Sequence, residues 1–117
     1  MEKLTKTIVD NIPCRAGVYC FYDIYGQMIY VGMSKNLRQR LIQHIQEEDN
    51  DLLINNISGF EYCITPNEED AATFEGTIYD TFVDEFGYPP KANKIAPPRS
   101  KQRIANILKL ISKGRKN

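Results

Sequence analysis

Two short apolar and aromatic runs, Gly17–Tyr22 and Met28–Val31, flank the turn-like segment Asp23-Ile24-Tyr25-Gly26. Runs of this composition around a glycine-bearing turn predict an antiparallel β-hairpin. The tripeptides Gly17-Val18-Tyr19 and Tyr30-Val31-Gly32 lie within it, with ten residues between their tyrosines. Gly32-Met33-Ser34 breaks the second strand, and Ser34 or Asn36 can cap the helix that follows. Leu37, Leu41 and Ile45 recur at i, i+4 and i+8 as that helix's core stripe. The same helix carries Arg40 and His44 one turn apart. Two tyrosines, an arginine and a histidine are thus expected on elements that must pack together.

Downstream, Phe60–Thr65 has strand composition. Pro66-Asn67 ends it, and Asn67 is expected to cap a helix over 67–86 whose first turn holds Glu68, Glu69 and Asp70. On that helix Ala71, Glu75, Ile78 and Phe82 follow the spacing of a core-facing stripe. Glu75 therefore interrupts an apolar face, where an unpaired carboxylate is costly. Either an arginine pairs with it, or it faces a cleft and binds a metal ion. Gly87 and Pro89-Pro90 end this helix. A last helix, about Ser100 to Ser112, places Ile104, Ile107, Leu108 and Ile111 on one face. Residues 1–13 form a lead-in with a helical turn near Leu4 to Val9. Residues 47–56 read as a loop leading into a short helix, and 115–117 as a disordered tail.

The 117 residues suit one domain over 1–117, with a core of about 13–93 and a basic segment over about 99–117. No apolar run is long enough to cross a bilayer, and the first residues lack a signal-peptide apolar region, so cytoplasmic residence is the default and no membrane partner is expected. Cys14, Cys20 and Cys63 lack metal-ligand spacing and read as buried or half-buried free thiols. Net charge is zero but unevenly spread: no acid follows Glu85, while nine Lys and Arg residues do. That basic third is either the footprint of a phosphate-backbone binder or a solvated helix with a basic tail.

Gly17-Val18-Tyr19, Tyr30-Val31-Gly32, Arg40, Glu75 and Pro90-Lys91-Ala92-Asn93 together resemble the GIY-YIG nuclease superfamily, over about Pro13 to Asn93. Within it the chain is most similar to the N-terminal catalytic domain of the bacterial nucleotide-excision-repair nuclease. The resemblance implies an α/β fold with a small three-stranded, mainly antiparallel sheet flanked by helices. It implies a DNA endonuclease dependent on magnesium or manganese, with Glu75 as metal ligand and Tyr19, Tyr30, Arg40, His44, Glu75 and Asn93 as catalytic residues. Tyr19 is favoured as general base, with Tyr30 positioning water or base. His44 would contact phosphate or assist proton transfer, and Asn93 would support the site by hydrogen bonding. Lys35, Arg38, Arg99, Lys101 and Arg103 are expected substrate contacts, while Tyr22, Tyr25 and Tyr62 are assigned to packing.

The chemistry agrees with that resemblance. Phosphodiester hydrolysis needs an activated water and charge stabilisation, which one carboxylate-held divalent ion and an arginine fork supply. Met33 stands where the repair branch often has lysine, and Phe86-Gly87-Tyr88-Pro89 reads as an insertion, so a divergent stand-alone member is expected. Two alternatives stay open: a nucleic-acid-binding module that keeps the fold without catalysis, and a nuclease active only with a targeting protein partner. Oligomeric state is not readable from the residues.

Overall fold

A computed structural model describes residues 2–46 and 57–114. Its elements are α1 (Lys6–Val9), β1 (Gly17–Tyr22), β2 (Met28–Ser34), α2 (Leu37–Gln46), β3 (Gly59–Ile64), α3 (Glu68–Phe86) and α4 (Lys101–Gly114). The expectations for 47–56 and 115–117 lie outside the described residues.

The three strands form an antiparallel sheet in the order β2-β1-β3, flanked by helices. The hairpin turns where predicted. Asp23 Oδ1 accepts from the backbone N–H of Tyr25 at 2.9 Å and of Gln27 at 3.0 Å. Gly26 takes φ 78°, the left-handed region that a residue without Cβ enters freely. Strand β2 runs three residues past the expected Val31, because Gly32, Met33 and Ser34 pair with Tyr19, Val18 and Gly17.

Side-chain alternation on β1 divides the interior in two. Tyr19 and Phe21 point to one face and pack with Val9, Ile12, Leu37 and Leu41 of the α1 and α2 layer. Cys20 points to the other face and packs with Val31 and Tyr79, under α3. Both central helices are capped as their sequences ask. Asn36 Oδ1 accepts from Gln39 N at 3.1 Å, and Asn67 Oδ1 from Asp70 N at 2.8 Å. Helix α3 stops at Gly87, whose φ of 77° closes the last turn onto the Val83 carbonyl.

Three details depart from the sequence reading. Gly76 and Tyr79 of α3 are buried outside the expected stripe, Gly76 because the Arg99–Ser100 backbone packs against it and Tyr79 because it packs on Cys20 and Val31 of the sheet. Cys14 and Cys63 are exposed, and only Cys20 is buried. Tyr25, assigned to packing, is 87 % exposed on the hairpin turn, where no second layer covers it. Tyr22 does engage, donating to Glu61 at 3.0 Å, and Tyr62 stacks on Phe60 at 6.2 Å.

Candidate active site

The glycines of the two tripeptides each answer a close approach. A methyl group on Gly17 would strike the Cys63 carbonyl oxygen and lie 2.5 Å from Leu37 Cδ1. One on Gly32 would lie 2.6 Å from Tyr19 Cζ and Oη and 2.7 Å from Tyr30 Cε1. Tyr19 stands opposite Gly32 in the ladder. The side chain that Gly32 lacks is therefore the space that both tyrosine rings use.

The rings are layered in depth. Tyr19 is 1 % exposed, and its Oη lies 2.7 Å from Nε2 of His44, itself buried. Tyr30 lies 6.0 Å from Tyr19 and 5.8 Å from His44 between ring centroids, and is only partly covered. Burial pushes both hydroxyls above the ordinary tyrosine value, Tyr19 strongly. The Arg40 guanidinium opposes the shift at both, and a hydrogen bond from Tyr19 opposes it at Tyr30. Arg40 also donates to Gln43 Oε1 at 3.1 Å.

Beyond Tyr30 the molecule opens. A cleft of roughly 370 Å³ lies at the outer edge of β2, lined among others by Tyr30, Arg40, His44, Glu75, Asn93 and Lys94. Helix α2 brings Arg40 and His44 from one face of the sheet, and α3 brings Glu75 from the other. Glu75 faces this cleft, which it lines together with Arg40. Its carboxyl sits half-buried in the wall, and burial pushes it from an ordinary 4.5 up to about 7. The Glu75 charge in turn raises Tyr30.

Asn93 closes the edge of β2. Its Oδ1 accepts from Val31 N and its Nδ2 donates to Val31 O, each at 3.0 Å, while Ala92 N donates to Ile29 O at 2.8 Å. An edge strand otherwise presents unpaired backbone groups. Here a short loop satisfies them and fixes one wall of the cleft.

The expected substrate contacts fare differently. Lys35 is exposed in the β2–α2 turn and Arg103 is exposed on α4. Arg38 is half-buried, and its Nε donates to the Ile12 carbonyl, which anchors the lead-in segment instead of facing the cleft. Arg99 donates to Thr73 Oγ1 at 2.7 Å, and the Lys101 backbone N–H donates to the Asp80 carboxylate at 2.9 Å, so both serve to dock α4 on α3. None of these five lines the cleft. Lys94, which the sequence reading passed over, does, and its place directly after Asn93 was the available signal. Tyr19, favoured as base, is buried, and the cleft lining includes its neighbours Tyr30 and His44 but not Tyr19 itself.

Among the described residues no group of three or more His, Cys, Asp or Glu side chains converges on one point. A cation in this cleft would meet, among the described residues, the Glu75 carboxylate, with water completing its shell. That donor set suits a hard, hydrated divalent ion.

An antiparallel three-stranded sheet with tyrosines, an arginine and a glutamate gathered at its edge defines a GIY-YIG nuclease domain. Residues 15–86 match the UvrC-like GIY-YIG domain, and the chain belongs to that family. It is 37% identical over 99 residues to UvrABC system protein C of Rickettsia felis, covering 82% of this chain and 15% of that protein. Against UvrABC system protein C of Bacteroides thetaiotaomicron it is 29% identical over 118 residues, covering 93% and 19%. The chain thus spans less than a fifth of the curated relatives it matches. The N-terminal endonuclease domain of UvrC from Thermotoga maritima, bound to its catalytic magnesium, superposes with a TM-score of 0.63 at 23% identity, covering 80% of this chain and 99% of that one. No helix among the described residues is long and apolar enough to cross a membrane.

Proposed function

We propose that this chain is a divalent-metal-dependent endonuclease that hydrolyses DNA phosphodiester bonds in the cleft at the β2 edge. The observation that carries the reading is Glu75, a half-buried carboxylate pushed up to about 7 and facing the same cleft as Tyr30 and Arg40. An acid in that state gains from an added positive charge. Magnesium, the ion of the Thermotoga maritima domain, or manganese fits the oxygen donors present. Glu75 would hold it, with water and phosphate oxygens completing the shell. Bound there, such an ion supplies charge stabilisation to the phosphoryl and leaving oxygens.

The protein's own groups divide the remaining work. Tyr30, at the cleft wall, is the general base toward the attacking water, a role its buried neighbour Tyr19 cannot reach. With His44 as the Nε2–H tautomer, a hydrogen-bond chain runs from His44 to Tyr19 to Tyr30 and stabilises the Tyr30 oxygen as its proton leaves. Neutralising Glu75 removes a charge that opposes this ionisation. Arg40 favours it further and offers its guanidinium to the scissile phosphate. Lys94 lies at the rim as a second phosphate contact, and Asn93 positions β2. The relatives are components of the UvrABC system, and a targeting protein partner for this chain is the corresponding proposal.

Incubation with supercoiled plasmid and magnesium tests the reading. Nicked circles are expected, and they disappear with Glu75→Ala and with Arg40→Ala. Salt-sensitive DNA binding without cleavage under magnesium or manganese would overturn catalysis in favour of a binding module.

A further inference from the structure

Among the described residues α3 is the helix on the second face of the sheet, and it leaves part of that face open. Cavities of roughly 650 and 300 Å³ run along α3 on the flank away from Glu75 and share Tyr22, Met28, Phe74 and Ile78. Together they form one apolar groove, floored by β1 and β3 at one end and by Tyr22 and hairpin residues 25–28 at the other. Glu61 and Glu85 line it as well.

The same chain carries a convex counterpart. Ile104, Ile107, Leu108 and Ile111 repeat at i, i+3, i+4 and i+7 along one face of α4, and they are 43% to 60% exposed. The stripe spans about 10 Å and the groove from Phe74 to Phe86 about 18 Å, at 1.5 Å rise per residue. Charge matches too. The groove acids are Glu61 and Glu85, whereas α4 carries four bases and no acid. Net charge at pH 7 is zero, so two copies meet without overall repulsion.

α4 is held away from its own groove. Lys101 on Asp80, Arg99 on Thr73, and the Arg99–Ser100 backbone against Gly76 fix its start on another flank of α3. A second copy has no such restriction.

We propose that this chain forms a reciprocal dimer in which α4 of each copy lies in the α3–β1–β3 groove of the other. Each sheet then gains a further helix beside α3, and the interface is two-fold symmetric. Arg103 flanks the stripe and approaches the groove acids, while Lys109 and Lys113, on the far side of α4, stay outward.

Sedimentation velocity of the full chain, over on the order of 1 to 200 µM, tests this through the concentration dependence of mass. A species of twice 13.5 kDa is expected. Ile107→Glu and Phe74→Glu, at positions 43% and 45% exposed, each yield a monomer with unchanged circular dichroism. Mixing the two restores a dimer, since one intact α4 then meets one intact groove. Glu85→Lys, which removes no apolar group, weakens dimerisation by about tenfold. A monomer at every concentration overturns the proposal. So does a dimer that Phe74→Glu and Glu85→Lys leave intact while Ile107→Glu dissolves it, because α4 would then be pairing with itself. An Ile107→Glu effect on DNA affinity without any on mass would assign the stripe to nucleic acid instead.

Discussion

Glu75 shows how a single residue can be read from sequence and then weighed by structure. A carboxylate breaking an apolar stripe was visible from spacing alone, and the cleft supplies its reason. Its titration gives a sign that can be checked. The folded-state value of about 7 lies above the ordinary 4.5, so the group contributes stability below about 4.5 and that contribution is lost as pH rises through 7. Glu75→Gln is therefore expected to melt above the wild type at about pH 8 without added metal, with the two converging near pH 4.5. Magnesium reverses the order, because it stabilises only the carboxylate form. Thermal melts with and without magnesium read both effects. Equal melting at all pH values would mean that Glu75 is neither desolvated nor a ligand. The tyrosines separate similarly. Tyr30→Phe should lower cleavage about 100-fold or more as a lost general base. Tyr19→Phe breaks the bond to buried His44 and costs about 1 kcal/mol of stability as well. A chemical-denaturation midpoint unchanged in Tyr30→Phe and lowered in Tyr19→Phe is the expected pattern. His44 was legible as a residue but not as a buried one, since nothing in spacing reveals that Tyr19 reaches it from β1.

The hairpin is the element that sequence defined best, and its glycines explain why. Tyr19 opposite Gly32 is a register consequence, fixed once the turn at Gly26 is set. Gly32→Ala would force a methyl group against both tyrosine rings and is expected to cost about 1 to 3 kcal/mol. Cleavage would fall with it as Tyr30 shifts. Urea unfolding paired with the plasmid assay checks this, and a fully active, equally stable variant would show that the site tolerates the displacement. At the β2 edge, Asn93→Ala removes two hydrogen bonds to Val31 and should cost about 1 to 3 kcal/mol. Amide exchange at Val31 is expected to accelerate in that variant. Strand ends and the docking of α4 were the parts that sequence did not deliver. The last three residues of β2 are held by pairing with β1, and α4 starts on Asp80, a contact between residues 21 positions apart. Local propensity carries no information about either.

For the whole molecule, the hairpin and the helices were legible because turn, caps and stripes agreed at every level, while the three-stranded antiparallel sheet was implied by the family resemblance. Charge asymmetry was legible as well, but not its use. The basic positions expected on substrate are partly spent on structure, as Arg38 and Arg99 show, while the cleft takes its rim lysine from Lys94. Packing decides between these uses. The proposed catalysis needs the whole assembly, since Tyr30, Arg40 and Glu75 come from three elements on both faces of one sheet. Single-turnover cleavage of a labelled DNA duplex in saturating magnesium, by wild type and by a folded Glu75→Ala variant, measures it most directly. The wild type should cut, and the variant should be slower by about 100-fold or more. Equal rates, or no cutting by either, would contradict the assignment of the β2-edge cleft as a metal-dependent nuclease site.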